Sequence, residues 1–179
     1  PALSKSKDKA RELQCKGNLK QLGLVMLSYA GDNKFIPKIW DGANVWERVL
    51  DTAGYIKWSR DGKWMHCNSW VPAGMLDKTG CPSSMSYTYG MRAFGGDAVS
   101  SITAPSIRDI FADTILIDPG IPGDQYQAYH YWIGGTVTPQ KMHLRHARKG
   151  NFWFFDGHVS AMSSENLRGL AGTHATDVN

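Results

Sequence analysis

Residues 4–30 read SKSKDKARELQCKGNLKQLGLVMLSYA, and the placement of apolar side chains along this stretch decides the fold. Cys15, Leu19, Leu22, Met26 and Tyr29 recur at spacings of four, three, four and three. A helix turns once every 3.6 residues, so these five side chains line one face, and the spacing predicts an amphipathic helix that packs this stripe on a core. The stretch before Cys15 is dense in charge and almost without an apolar face, so it gains little by packing and is expected to stand in solvent. No proline interrupts the run, and Gly31-Asp32-Asn33 supplies the turn chemistry that ends a helix. A helix of roughly 26 residues is about 39 Å long. Residues 1–14 are therefore expected to extend beyond the body and residues 15–30 to dock on it, with a globular domain over 31–168 and a loose tail over 169–179.

The chain has 179 residues, 42% of them hydrophobic, which suffices for one sizeable core. Its formal charge of +4 is carried by the helix: residues 1–20 hold six basic and two acidic side chains, leaving 14 of each sign in the rest. A body so balanced has no basic face for nucleic acid, and no such partner is expected. No run approaches the roughly 18–20 consecutive apolar residues of a membrane span.

Beyond the helix, Val45, Trp46, Val49, Leu50 and Ala53 predict a short helix closed by Gly54, followed by a loop-rich stretch from Ser59 to Ser84. Strands are expected at Met85–Met91, at Ile110–Ile117 with an interruption at Asp113, and along an edge at Gln125–Trp132. The clearest short element is Asn151-Phe-Trp-Phe-Phe155, Asp156-Gly157, His158-Val-Ser-Ala-Met162. Asp-Gly between two strand-like runs predicts a hairpin with a type I′ turn, and four consecutive aromatics predict a strand covered on both faces. Phe152 and Phe154 are expected to point to the core side.

Three segments then fall in a familiar order: Pro1-Ala2-Leu3-Ser4-Lys5; Cys15-Lys-Gly-Asn18-Leu19-Lys20-Gln21-Leu22-Gly23-Leu24; and Tyr29-Ala30-Gly-Asp32-Asn33. Cys81-Pro82-Ser83, Pro105-Ser106 and Phe111-Ala112-Asp113 follow, and His146 precedes Asp156-Gly157 by nine intervening residues. In this combination the chain resembles the prepilin-type pseudopilin-like proteins of type II secretion and type IV pilus-like systems, in the subgroup that ends in His-x9-Asp-Gly. The resemblance implies an α+β, pilin-like fold with a long N-terminal helix laid against an antiparallel sheet with loop-rich insertions. It also implies a leader removed by a prepilin peptidase, an upstream apolar helix that anchors the subunit in the inner membrane, and a globular domain in the periplasm or an extracytoplasmic filament. The expected partners are other pseudopilin subunits and the secretion machinery, met through the N-terminal helix. The expected function is non-enzymatic, and a fragment without the anchor is expected to be monomeric.

Four constellations carry chemistry. His146, Asp156 and His158 offer imidazole and carboxylate ligands to a structural divalent metal if the hairpin folds back on His146; Asp113, Asp118 and Asp124 offer oxygens to calcium, without the spacing of a dedicated loop. Cys67 and Cys81 close a loop of about 15 residues that one disulfide would constrain by roughly 3 kcal/mol, leaving Cys15 free. Trp40, Trp58, Trp64, Trp70 and Trp132 offer rings to a sugar, so a surface or periplasmic polysaccharide-binding module is the alternative reading. No Gly-x-Ser-x-Gly elbow or Gly-rich phosphate loop is present, and no cofactor beyond a structural ion is expected.

Overall fold

The computed structural model describes residues 2–72, 75–80, 82, 84–85, 88–93, 96–117, 125–131 and 140–171. Helix α1 spans Ala2–Asn33, and its stripe of Cys15, Leu19, Leu22, Met26 and Tyr29 is buried as the periodicity requires, while residues 3–11 are exposed. Arg11 with Asp8, Lys9 with Glu12, and Lys16 with Glu12 form ion pairs one turn apart along the charged half. Each such exposed pair contributes only about 0.3–0.5 kcal/mol, so they favour the helix without fixing it to anything.

Two short helices follow, α2 (Trp46–Thr52) and α3 (Trp58–Asp61), the second running into a 3-10 turn within the expected loop region. The strands are β1 (Gly90–Arg92), β2 (Asp109–Ala112), β3 (Thr114–Ile117), β4 (Gln125–Tyr126), β5 (His130–Tyr131), β6 (Gln140–Met142), β7 (Lys149–Phe154) and β8 (Val159–Ser163). A five-stranded sheet has the order β5-β1-β2-β7-β8, and a three-stranded sheet the order β4-β3-β6. The fold is α+β, but the larger sheet is mixed rather than antiparallel, because β1 and β5 run parallel. The interruption expected at Asp113 is where the chain leaves one sheet for the other, and the single edge strand expected at 125–132 is likewise split between the two sheets.

Strand β7 decides how the layers stack. Successive side chains of a strand alternate faces. Trp153 accordingly joins the helix-side core with Leu19, Leu22, Met26, Trp46 and Phe111, whereas Phe152 and Phe154 join a second core with Ala112, Tyr131, Met142 and Leu167. Both Ile110 and Phe111 face the helix side because a bulge shifts the register between Asp109 and Phe111. Gly23 lets α1 approach closely: a Cβ there would lie 2.0 Å from the Trp153 ring.

The turn at Asp156-Gly157 exists but is not type I′. Phe154 N–H donates to His158 O at 3.0 Å, Gly157 N–H donates to Phe154 O at 2.9 Å, and of the loop residues Gly157 alone has positive φ, at 93°. This is a three-residue loop with a left-handed glycine after a tight turn. Gly157→Val is expected to cost about 1 kcal/mol or more, since a β-branched residue resists positive φ; an unchanged melting temperature would contradict the assignment. A further helix, α4 (Ser164–Ala171), occupies the start of the expected tail. Ser163 and Asn166 hold its first turn reciprocally, each backbone N–H donating to the other's side-chain oxygen, at 3.3 and 3.4 Å. Asn166 here takes the place of the usual Glu or Gln in a capping box, so the signal escapes a search for that pair.

Candidate functional site

Asp113 stands at the corner between β2 and β3 and is fully buried. Its backbone N–H donates to Asn151 O at 3.0 Å, its carbonyl accepts from His143 N–H at 2.8 Å, and its Oδ2 accepts from Asn151 N–H at 2.8 Å. These bonds fix the carboxylate where the two sheets diverge. His146 reaches it from the turn between β6 and β7, which Ala147 and Arg148 close with positive φ of 49° and 66°. His146 Nε2 lies 3.2 Å from Asp113 Oδ2 and 3.3 Å from Cys67 Sγ, and Nδ1 lies 3.4 Å from Ser69 Oγ.

Cys67 is held from its backbone. Buried Gln127 accepts from Cys67 N–H at 2.8 Å and donates to Cys67 O at 2.9 Å and to Trp70 O at 2.8 Å. From the other side α1 brings in Cys15, whose Sγ is 2.7 Å from Cys67 Sγ. The Tyr89 hydroxyl donates to Cys15 O at 3.2 Å, and Asn18 Nδ2 donates to His66 O at 3.4 Å, so the helix is tied to this loop above and below the sulfurs. Beside the cluster, a cleft of about 570 Å³ is lined by Lys5, Lys9, Arg11, Glu12 and Arg145 among others.

The charges of the cluster depend on one another. Burial opposes ionisation of Asp113, yet the hydrogen bond from His146 and the charge of Arg145 hold its carboxyl below the usual value. Burial likewise opposes charge on His146, but the hydrogen bonds to Asp113 and Cys15 and their charges raise it to about 9. With both thiols reduced, the hydrogen bond from Cys67 draws Cys15 down, aided by His146, while burial pushes Cys67 up. Ser69, His146 and Asp113 stand in the order of a hydroxyl, an imidazole and a carboxylate. While both thiols are reduced, an imidazole so raised is protonated at neutral pH and has no lone pair with which to take the Ser69 proton.

The metal set read from the sequence does not assemble. Asp156 and His158 pair with each other in the exposed turn, Nδ1 to Oδ1 at 2.6 Å, while His146 is buried. His146 precedes β7 and Asp156 follows it, and a six-residue strand extends about 20 Å. The three-ligand cluster found among the described residues is Cys15, Cys67 and His146 instead. Asp113 is committed to His146 and Asn151 rather than to calcium; Asp118 and Asp124 lie outside the described residues, as does Cys81, the second half of the Cys67–Cys81 pairing. Pro82 is buried and bridges to Leu76, and Gln21 is exposed.

Of the tryptophans, Trp40 is half exposed, Trp58 and Trp64 pack partly buried against the helix-side core, and Trp70 meets His143 edge-on with Arg145 over its ring at 5.0 Å. Trp132 lies outside the described residues, and no ring contact among those described joins two of the others. Sequence reading missed Glu47, a fully buried acid that accepts from the Thr88 hydroxyl at 2.5 Å and is pushed well up by burial. It sits in the α2 stripe between Trp46 and Leu50 with nothing local to reveal its burial.

No family model matches the chain, and no curated protein or solved structure matches it significantly. No helix among the described residues is long and apolar enough to cross a membrane.

Proposed function

We propose that the protein is a non-enzymatic, pilin-like subunit of a type II secretion or type IV pilus-like filament. In the intact protein, α1 would continue from an upstream apolar segment that anchors it in the inner membrane, with the body on the periplasmic side. One observation carries the reading: α1 is divided, with Cys15 to Tyr29 docked on the sheet and the charged turns before it exposed. Residues 3–11 lie exposed in the monomer, and helices of neighbouring subunits are what would cover them. Their excess of Lys and Arg suits anionic lipid head groups at the foot of such a helix. The His-x9-Asp-Gly ending acquires a physical sense as well, since its two ends bracket β7.

The test is to express the intact gene product in its host with single cysteines at Lys5 or Lys9 in a Cys81→Ser background and to oxidise whole cells. A membrane-bound ladder of crosslinked multimers is expected, with residues 1–179 alone sedimenting as a monomer. An intact product that is soluble and yields no multimers, or a hydrolase activity abolished by His146→Ala, would overturn the reading.

A further inference from the structure

We propose that Cys15 and Cys67 form a disulfide that fastens the docked half of α1 to the loop after α3, leaving Cys81 as the unpaired thiol. The inference does not depend on the filament reading. Its first support is distance. Two thiolates on one tetrahedral zinc, with bonds of about 2.3 Å, stand roughly 3.8 Å apart, whereas these sulfurs stand 2.7 Å apart, within easy reach of a bond of about 2.05 Å. The three ligands of the apparent cluster therefore do not leave room for a shared ion between the sulfurs.

The second support is that both residues are held in place by separate means. The Gln127 amide grips Cys67 through its N–H and carbonyl, and the Leu19, Leu22, Met26 and Tyr29 stripe with the Tyr89 hydroxyl seats Cys15. The two separately seated residues bring their sulfurs to 2.7 Å. The third is enclosure: both sulfurs are fully buried, so the finished bond is shielded from reducing thiols.

The bond forms by exchange with a small-molecule or protein disulfide before α1 closes over the loop. The Cys15 thiolate attacks one sulfur of that disulfide and expels the other as a thiolate. Cys67, losing its proton to the thiolate expelled in the first step, then displaces the remaining partner sulfur. Two protein thiols are oxidised to one disulfide and the exchange disulfide is reduced to two thiols, which take up the two protons.

The purified chain, refolded with oxidised glutathione, would be alkylated with iodoacetamide in denaturant and digested with trypsin. Cleavage after Arg11, Lys16, Lys63, Lys78 and Arg92 places the three cysteines on separate peptides, 12–16, 64–78 and 79–92. The expected result is a linked 12–16/64–78 pair with alkylation confined to 79–92. Reductant should lower the melting temperature by about 10 °C in the wild type and in Cys81→Ser, the amount expected for cross-linking a loop of this length in a domain of this size, and by nothing in Cys15→Ser. A 64–78/79–92 pair, three alkylated cysteines, or one equivalent of zinc retained by the chain purified without oxidant would each overturn the proposal.

Discussion

Asp113→Ala is expected to destabilise the protein by about 3–5 kcal/mol, the usual cost of removing one member of a buried ion pair. The substitution leaves His146 without its carboxylate and Asn151 N–H without its acceptor, at the point where the chain passes from one sheet to the other. Chemical denaturation of the purified domain measures the loss, and a change below about 1 kcal/mol would mean that the carboxylate carries no such weight. The milder Asp113→Asn exposes the charge dependence. With both thiols kept reduced, His146 is raised to about 9 from an ordinary 6.5, so its contribution is fully present below pH 6.5 and is lost as pH rises through 9. Asp113 is lowered, so its own contribution is present above its ordinary value near 3.8 and is lost as pH falls through the depressed one. The stability gap between wild type and Asp113→Asn should therefore be widest between about pH 4 and 6.5 and should narrow toward pH 9. The gap, rather than either curve alone, is the quantity to follow, because titration of Cys15 in reduced protein affects both variants.

Gly23→Ala is expected to destabilise by about 2 kcal/mol or more, the scale of an overpacked core. Helix propensity alone predicts the opposite sign, a gain of up to about 1 kcal/mol. The decision rests on Trp153: the new methyl would sit 2.0 Å from its Cε2 and 2.1 Å from its Nε1, and the ring is fully buried against Phe111 with no room to swing aside. Gly17 is the control. A Cβ there meets nothing within 4 Å, so Gly17→Ala should stabilise by about 0.5–1 kcal/mol. If both alanine variants raised the melting temperature, the close approach of α1 to β7 would be wrong.

The helix and its buried face were legible because their signal is local: five residues at helical spacing need no knowledge of the rest of the chain. The same holds for the Asp156-Gly157 hairpin, although its turn type depended on a backbone detail that Asp-Gly alone does not fix. The cluster at Asp113 was not legible. Cys15, Cys67, Asp113 and His146 lie 30 or more residues apart, and they meet only because α1, a loop and two sheets close on one corner. Grouping His146 with Asp156 and His158 relied on proximity in sequence, which an extended strand converts into separation. The Gln127 clamp escaped for a related reason, since a lone Gln in an aromatic-rich stretch looks like a solvent-facing edge residue until the loop it holds is known.

The division of α1 also has a mechanical consequence. Residues 2–14 form a rod about 20 Å long, and a pull on its N-terminal end is carried along the helix axis into the seated half. There Gly23 fits over the Trp153 ring like a notch over a peg, and sliding by one turn would drive Leu19 or Leu27 onto the ring. Axial load is thus borne in shear across a whole packed stripe at once, whereas sideways load would peel the contacts one after another. The seat of α1 on the sheet therefore resists load along the helix axis better than load across it.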